Sequence, residues 1–263
     1  MKIALFEHYP ALAEQREALE QARKLLIDTF AHGGKVLLCG NGGSAADCDH
    51  IAGELLKGFA CKRALTGELR ERMGEELADR LQMGLPAISL PSQGAIISAF
   101  CNDVDAVTVY AQLTLALGKQ GDVLWCISTS GNSQNCVQAA RAARALGVRV
   151  IAMVGAGECA LDGLADVVLH APAKETYRVQ EYHLPMYHWL CAEVENYFFD
   201  YSLSGALHKI RQRHLCKTHK YCAAQLVTSS GLPLDYFEKK RIMMVYSKES
   251  TPFNFFDKFP YSR

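Results

Sequence analysis

Five short apolar runs, each followed by a turn and most by a stretch with helical spacing, constrain the fold of this chain more than any other feature. Val36 to Cys39, Pro86 to Leu90, Val123 to Ile127, Val148 to Val154 and Asp166 to Leu169 read as strands. Before the first of them, Leu12, Leu19, Ala22, Leu25, Leu26 and Phe30 mark an amphipathic helix over 12–32, stopped by Gly33 and Gly34. Further helices are expected from Ser44 to about Phe59, from Ser92 to about Cys101, over roughly 104–117, from the loop at Ser128–Ser133 to Gly147, and over 176–199. Pro185 lies inside the last of these and is expected to kink it. Strand–helix alternation with apolar strands implies an α/β fold. The expected form is an open, mainly parallel five-stranded sheet with helices on both faces and right-handed crossovers.

Of 263 residues, 49% are apolar, enough for one sizeable core. The formal net charge is zero, so neither nucleic acid nor an anionic membrane is indicated as a partner. No apolar run reaches the length of a membrane span. Glu7 and His8 interrupt the apolar stretch at the N-terminus, which does not read as a secretory signal. The ten cysteines, several within apolar runs (Cys39, Cys126, Cys191), are therefore expected as free thiols in a reducing cytoplasm. Residues 61–84 are polar and read as a surface excursion with a helix near 69–81. After Tyr201 the character changes, so residues 1–200 form the expected domain and 201–263 an extension of unknown role.

Two loops lie where an open α/β sheet binds its ligands, between a strand's carboxyl end and a helix N-terminus. The first is Gly40-Asn41-Gly42-Gly43-Ser44, with Ser44 expected as N-cap. The second is Ser128-Thr129-Ser130-Gly131-Asn132-Ser133, which offers four hydroxyls, exposed backbone N–H groups and a glycine. Such a loop can grip a phosphate without lysine. A hydroxyl-rich turn can also merely cap a helix, but two such loops after two strands favour a ligand. Neither is a Walker sequence and no Gly-x-Gly-x-x-Gly occurs, so no nucleotide cofactor is indicated.

His50 and Glu54 are four residues apart on one helix and share a face. On the late helix, either Gln180 or Glu181 can share a side with His188, and spacing alone does not choose between them. His183 reads as a packing or supporting residue. Cys216, His219 and Cys222 have metal-like spacing but lack a fourth ligand, and read as incidental.

These segments, with Asn102-Asp103 and Arg178-Val179-Gln180-Glu181, resemble in order the sugar-isomerase (SIS) domain, and specifically the phosphoheptose (sedoheptulose 7-phosphate) isomerases, over roughly residues 12–200. The resemblance implies the SIS fold, a flavodoxin-like three-layer sandwich. It implies that Asn41, Gly42, Gly43, Ser44, Glu54, Asn102, Asp103, Ser128, Thr129, Ser130, Ser133 and Gln180 contact a phosphorylated sugar. Glu54 and His188 match the catalytic pair, and His50, Glu54, Gln180 and His188 match a zinc site. A cytoplasmic homotetramer with sites at subunit interfaces is also implied. The expected reaction is aldose–ketose isomerisation through an enediol. Alternatives are an isomerase of another sugar phosphate, or a non-catalytic SIS sensor or adaptor. The presence of both Glu54 and His188 favours an enzyme. The chain departs from the family in its longer 61–84 segment, in Tyr177 where an aspartate is usual, and in the segment after Tyr201.

Overall fold

The computed structural model describes residues 3–199. Strands β1 (Val36–Gly40), β2 (Ala87–Ser89), β3 (Val123–Ile127), β4 (Arg149–Val154) and β5 (Val167–His170) form one sheet in the order β2-β1-β3-β4-β5. Every pairing is parallel, and β1 and β3 pair through all five residues of each, from Val36↔Val123 to Gly40↔Ile127. In β1, β3 and β4 every residue but Arg149 is buried, as strands covered on both faces must be.

The strand side chains divide between two cores, as the two-residue pleat requires. Leu38, Trp125, Ile151 and Leu169 face the layer of α2 (Arg16–Ala31), α3 (Gly43–Leu56) and α9 (Thr176–Phe199). Leu37, Leu124 and Val150 face the layer of α7 (Val109–Leu117) and α8 (Gln134–Ala145). The result is the expected three-layer sandwich. All six apolar positions that marked the 12–32 helix are buried. The chain there enters by the short helix α1 (Leu5–His8) and a 3-10 turn, Pro10–Gln15, so the α-helix proper begins only at Arg16.

Several expectations shift. Ser44 is not the N-cap of α3; Gly42 holds that position, and Ser44 is buried within the first turn. Ser92 does not open α6 (Gly94–Asp103), because its hydroxyl bonds to Asp49 on α3 instead. The helix expected from 104 starts at Val109, because Asp105 Oδ1 accepts the Val107 N–H at 2.9 Å and holds a local turn. The excursion over 61–84 carries two short helices rather than one, α4 (Gly67–Met73) and α5 (Glu75–Ala78), parted by Gly74. A lone antiparallel bridge, Ala64 to Gln82, closes its base. Helix α9 is unbroken through Pro185, which is buried. All eight cysteines among the described residues are free thiols. Cys216, His219, Cys222 and the extension to residue 263 lie outside the described residues.

The central strands bear the highest packing demand. Leu38 in β1 is fully buried among the side chains of the α2/α9 layer. Leu38→Ala is expected to lower the unfolding free energy by about 2–5 kcal/mol, read by denaturant titration.

Candidate active site

The strand order reverses direction between β1 and β3, since the chain passes from β1 outward to β2 and then crosses back to β3. Helix α3 leaves β1 toward one core and α8 leaves β3 toward the other. Their N-terminal loops therefore part at this point and open a crevice at the carboxyl edge of the sheet, the place where this topology binds ligands.

The first loop is tied to the start of α8, the helix that the serine loop opens. Asn41 Nδ2 donates to Asn135 Oδ1 at 2.9 Å and Asn135 Nδ2 donates back to Asn41 Oδ1 at 2.8 Å. In the serine loop, Ser128 Oγ donates to Ser133 Oγ at 3.0 Å, and Gly131 N–H donates to Ser128 O at 2.9 Å. Ser133 sits at the cap position of α8 without capping it through its side chain. In the first turn of α8 the Cys136 N–H donates to Asn135 Oδ1 at 3.0 Å, while Ser133 leaves the preceding N–H groups of Gln134 and Asn135 uncapped, a suitable seat for an anion. Gly131 adopts φ +63°, and a Cβ there would collide with Cys159 Sγ and stand 3.1 Å from Val154 Cγ1. Only glycine meets both demands.

Gln180 resolves the choice that spacing left open. Its side chain lies against Gly43, where a Cβ would meet the Gln180 amide, with Cδ at 3.0 Å. Glu181 is exposed. The start of α9 therefore approaches the start of α3, and Gly43 is the residue that permits the approach.

About two helical turns farther along, the same two helices bring His50, Glu54 and His188 together. His50 Nε2 lies 3.2 Å from Glu54 Oε1 and 3.4 Å from His188 Nε2. The other Glu54 oxygen, Oε2, is buried without a hydrogen bond and stands 3.5 Å from the Lys57 ammonium. Burial, then the neighbouring His50, lowers the pKa of His188, while Glu54 pulls it upward. His188 is thus neutral near pH 7, able to take up or release a proton.

Sequence spacing did not single out the residues that hold this cluster. Tyr187 Oη lies 3.0 Å from His50 Nδ1 and 3.2 Å from Asp47 Oδ1, and Phe59 stacks on His188 with centroids 5.4 Å apart. Asp47 is raised in pKa chiefly by burial. A signal was present for Asp47, three residues before His50 and so on its helical face. None existed for Phe59, which reaches His188 from a loop.

Asn102 and Asp103 are not brought to this cluster. They lie at the exposed end of α6, where Asn102 Nδ2 donates to Asp103 Oδ1 at 2.8 Å, with no hydrogen bond to either loop among the described residues. Thr129 and Ser130 do lie in the loop as expected, and Ser130 Oγ accepts the Asn132 N–H at 3.2 Å. Tyr177 is 64% exposed. His183 is wholly buried, its Nε2 lying 3.3 Å from Val154 O, a packing role as expected.

The SIS domain profile matches residues 8–70 and 63–155. A phosphoheptose isomerase of Thiobacillus denitrificans is 40% identical over 183 residues, covering 68% of this chain and 82% of that protein. One from Helicobacter pylori strain P12 is 37% identical over 188 residues, covering 72% and 88%. The chain belongs to the phosphoheptose isomerase family. Among solved structures, the phosphoheptose isomerase from Neisseria gonorrhoeae aligns with TM-score 0.58 at 32% identity, covering 69% of this chain and 87% of that one. That of Francisella tularensis aligns with TM-score 0.59 at 29% identity, covering 73% and 93%. The five-stranded parallel sheet described above is accordingly the phosphoheptose isomerase fold.

Two expectations follow for this isomerase. Gly131→Ala should weaken phosphosugar binding at least tenfold by calorimetry, since both the collision and the left-handed backbone must be relieved by moving the loop. For His183, burial lowers the pKa to about 4. The unfolded chain takes up a proton near pH 6.5 and the folded chain only near 4, so stability is complete above 6.5 and falls as pH drops between them. That loss should reach roughly 3 kcal/mol at pH 4. Urea titrations across this range should show the slope, and His183→Asn should flatten it.

Proposed function

We propose that the protein interconverts sedoheptulose 7-phosphate and D-glycero-D-manno-heptose 7-phosphate through an enediol, with Glu54 and His188 as the catalytic pair. The observation that carries this reading is the meeting of Glu54 and His188, from separate helices, around His50 beside two loops suited to a phosphate. Family membership supports the reaction class.

The serine loop Ser128, Thr129, Ser130 and Ser133 with the N-terminus of α8 holds the phosphate, and Asn41, Gly42, Gly43, Ser44 and Gln180 line the path from it toward Glu54. Phosphate binding far from the reacting carbons supplies orientation. Aldose–ketose exchange moves one proton between adjacent carbons and one between their oxygens. The Glu54 carboxylate removes the carbon-bound proton, leaving the electron pair in the enediol double bond, and returns the proton to the neighbouring carbon. His188, neutral near pH 7, carries a proton between the two oxygens. Oε2 of Glu54, without a hydrogen bond of its own, is the oxygen suited to act as base.

Zinc is part of the proposal. Ligands about 2.1 Å from a tetrahedral zinc stand roughly 3.4 Å from one another. The 3.2 Å and 3.4 Å separations from His50 to Glu54 and His188 fit two such edges. Among the described residues no three His, Cys, Asp or Glu side chains stand together closely enough to hold a metal ion as they are, so binding would require the third side chain to move in. His50, Glu54 and His188 would hold the ion, with Gln180 from the same face of α9. Zinc would polarise the substrate carbonyl as a Lewis acid.

A cytoplasmic homotetramer completes the reading. Helix α6 buries none of its residues, and Ala95, Ile96, Ala99, Val104 and Val107 are exposed on it and just beyond it. A second copy covering that surface would bring Asn102 and Asp103 to an interface, as a site shared between subunits requires. No helix among the described residues is long and apolar enough to cross a membrane.

Glu54→Gln and His188→Ala are each expected to lower kcat by about 10²–10⁴-fold, with smaller changes in KM, in an NMR assay of sedoheptulose 7-phosphate. Near-wild-type turnover in both would sink the mechanism. Dialysis against a chelator should lower activity, and added zinc should restore it; unchanged activity in metal-free protein would remove zinc from the account.

A further inference from the structure

Arg63 and Glu195 are both wholly buried and paired, with Arg63 Nε donating to Glu195 Oε1 at 2.8 Å. Each side chain makes further hydrogen bonds to the backbone. Arg63 Nη1 donates to Leu55 O at 2.6 Å and Nη2 to Glu54 O at 2.9 Å, so the guanidinium caps the carboxyl end of α3. Glu195 Oε1 accepts the N–H of Phe59 at 2.7 Å, and Oε2 accepts those of Ala60 at 2.6 Å and Cys61 at 3.1 Å.

The consequences reach both members of the catalytic pair. Arg63 grips the backbone carbonyl of Glu54 itself. Glu195 lies seven residues beyond His188 on α9, two turns along the same face. From there it fixes the strap 59–61, whose Phe59 ring stacks on His188. One buried pair thus sets the last turn of the helix bearing the base and the ring against the imidazole. Stability alone is weak grounds for such a pair, since buried ion pairs are often replaceable by apolar residues.

We propose that Arg63 and Glu195 are positioning residues for Glu54 and His188, holding their separation through the α3 terminus and the Phe59 strap. The inference rests on the isomerase reading above. Neither residue touches the phosphate loops, so the effect should fall on kcat rather than on KM.

The test uses the full chain with Arg63→Lys, Glu195→Gln and Phe59→Leu. The last keeps the buried pair intact and removes only a half-buried ring, so it is the variant least exposed to misfolding. Circular dichroism establishes folding, turnover of sedoheptulose 7-phosphate gives kcat and KM, and 13C-labelled histidine NMR reads the ring-current shift that Phe59 imposes on His188. Folded variants should lose at least tenfold in kcat with KM within about twofold, and the His188 ring resonance should move. Wild-type kcat and an unmoved His188 resonance in folded Phe59→Leu and Arg63→Lys would overturn the proposal. An inactive wild type would count against the isomerase reading, while the His188 resonance would still decide the positioning claim.

Discussion

A parallel strand covered on both faces leaves no room for a polar functional group in the sheet. In β1 and β3 every residue is buried, and the side chains alternate between two apolar cores. Chemistry is therefore confined to the carboxyl edge, where the strands hand over to loops and helix N-termini. The order β2-β1-β3-β4-β5 then fixes the position along that edge, because the chain reverses its direction of travel across the sheet between β1 and β3 and the helices after these two strands depart to opposite faces. The phosphate loop, the Asn41–Asn135 amide pair and the approach of α9 to Gly43 all follow from that one division.

Much of this was legible in the residues. Continuous apolar runs gave the parallel sheet, and helical periodicity correctly identified all six core positions of the first long helix. His50 and Glu54 were found by their four-residue spacing, a relation internal to one helix. What escaped was anything set by a competing local bond. Ser44 and Ser92 have good capping side chains, but one is buried in the first turn and the other bonds to Asp49. Asp105 turned the chain before α7 could begin.

Relations between elements were the least legible. Gln180 and Glu181 are equivalent by periodicity, and only the packing of α9 against Gly43 separates them. Tyr187, Phe59 and the buried Arg63–Glu195 pair join segments far apart in sequence, and nothing local marks them. Asn102 and Asp103 carry the family pattern yet stay apart from the cluster within one chain. Both are exposed, beside the exposed apolar residues of α6.

The central claim is a proton transfer between adjacent carbons, carried by Glu54 and completed at the oxygens by His188. A base in a site open to water exchanges its proton with solvent during the lifetime of an enediol. Isomerisation of sedoheptulose 7-phosphate by the wild-type protein in deuterated water, followed by 1H and 13C NMR, reads this directly. The account predicts heptose 7-phosphate product carrying solvent deuterium at the carbon that receives the proton, and no such product with Glu54→Gln. Product formed at the wild-type rate without deuterium, or formed equally by Glu54→Gln, would contradict it.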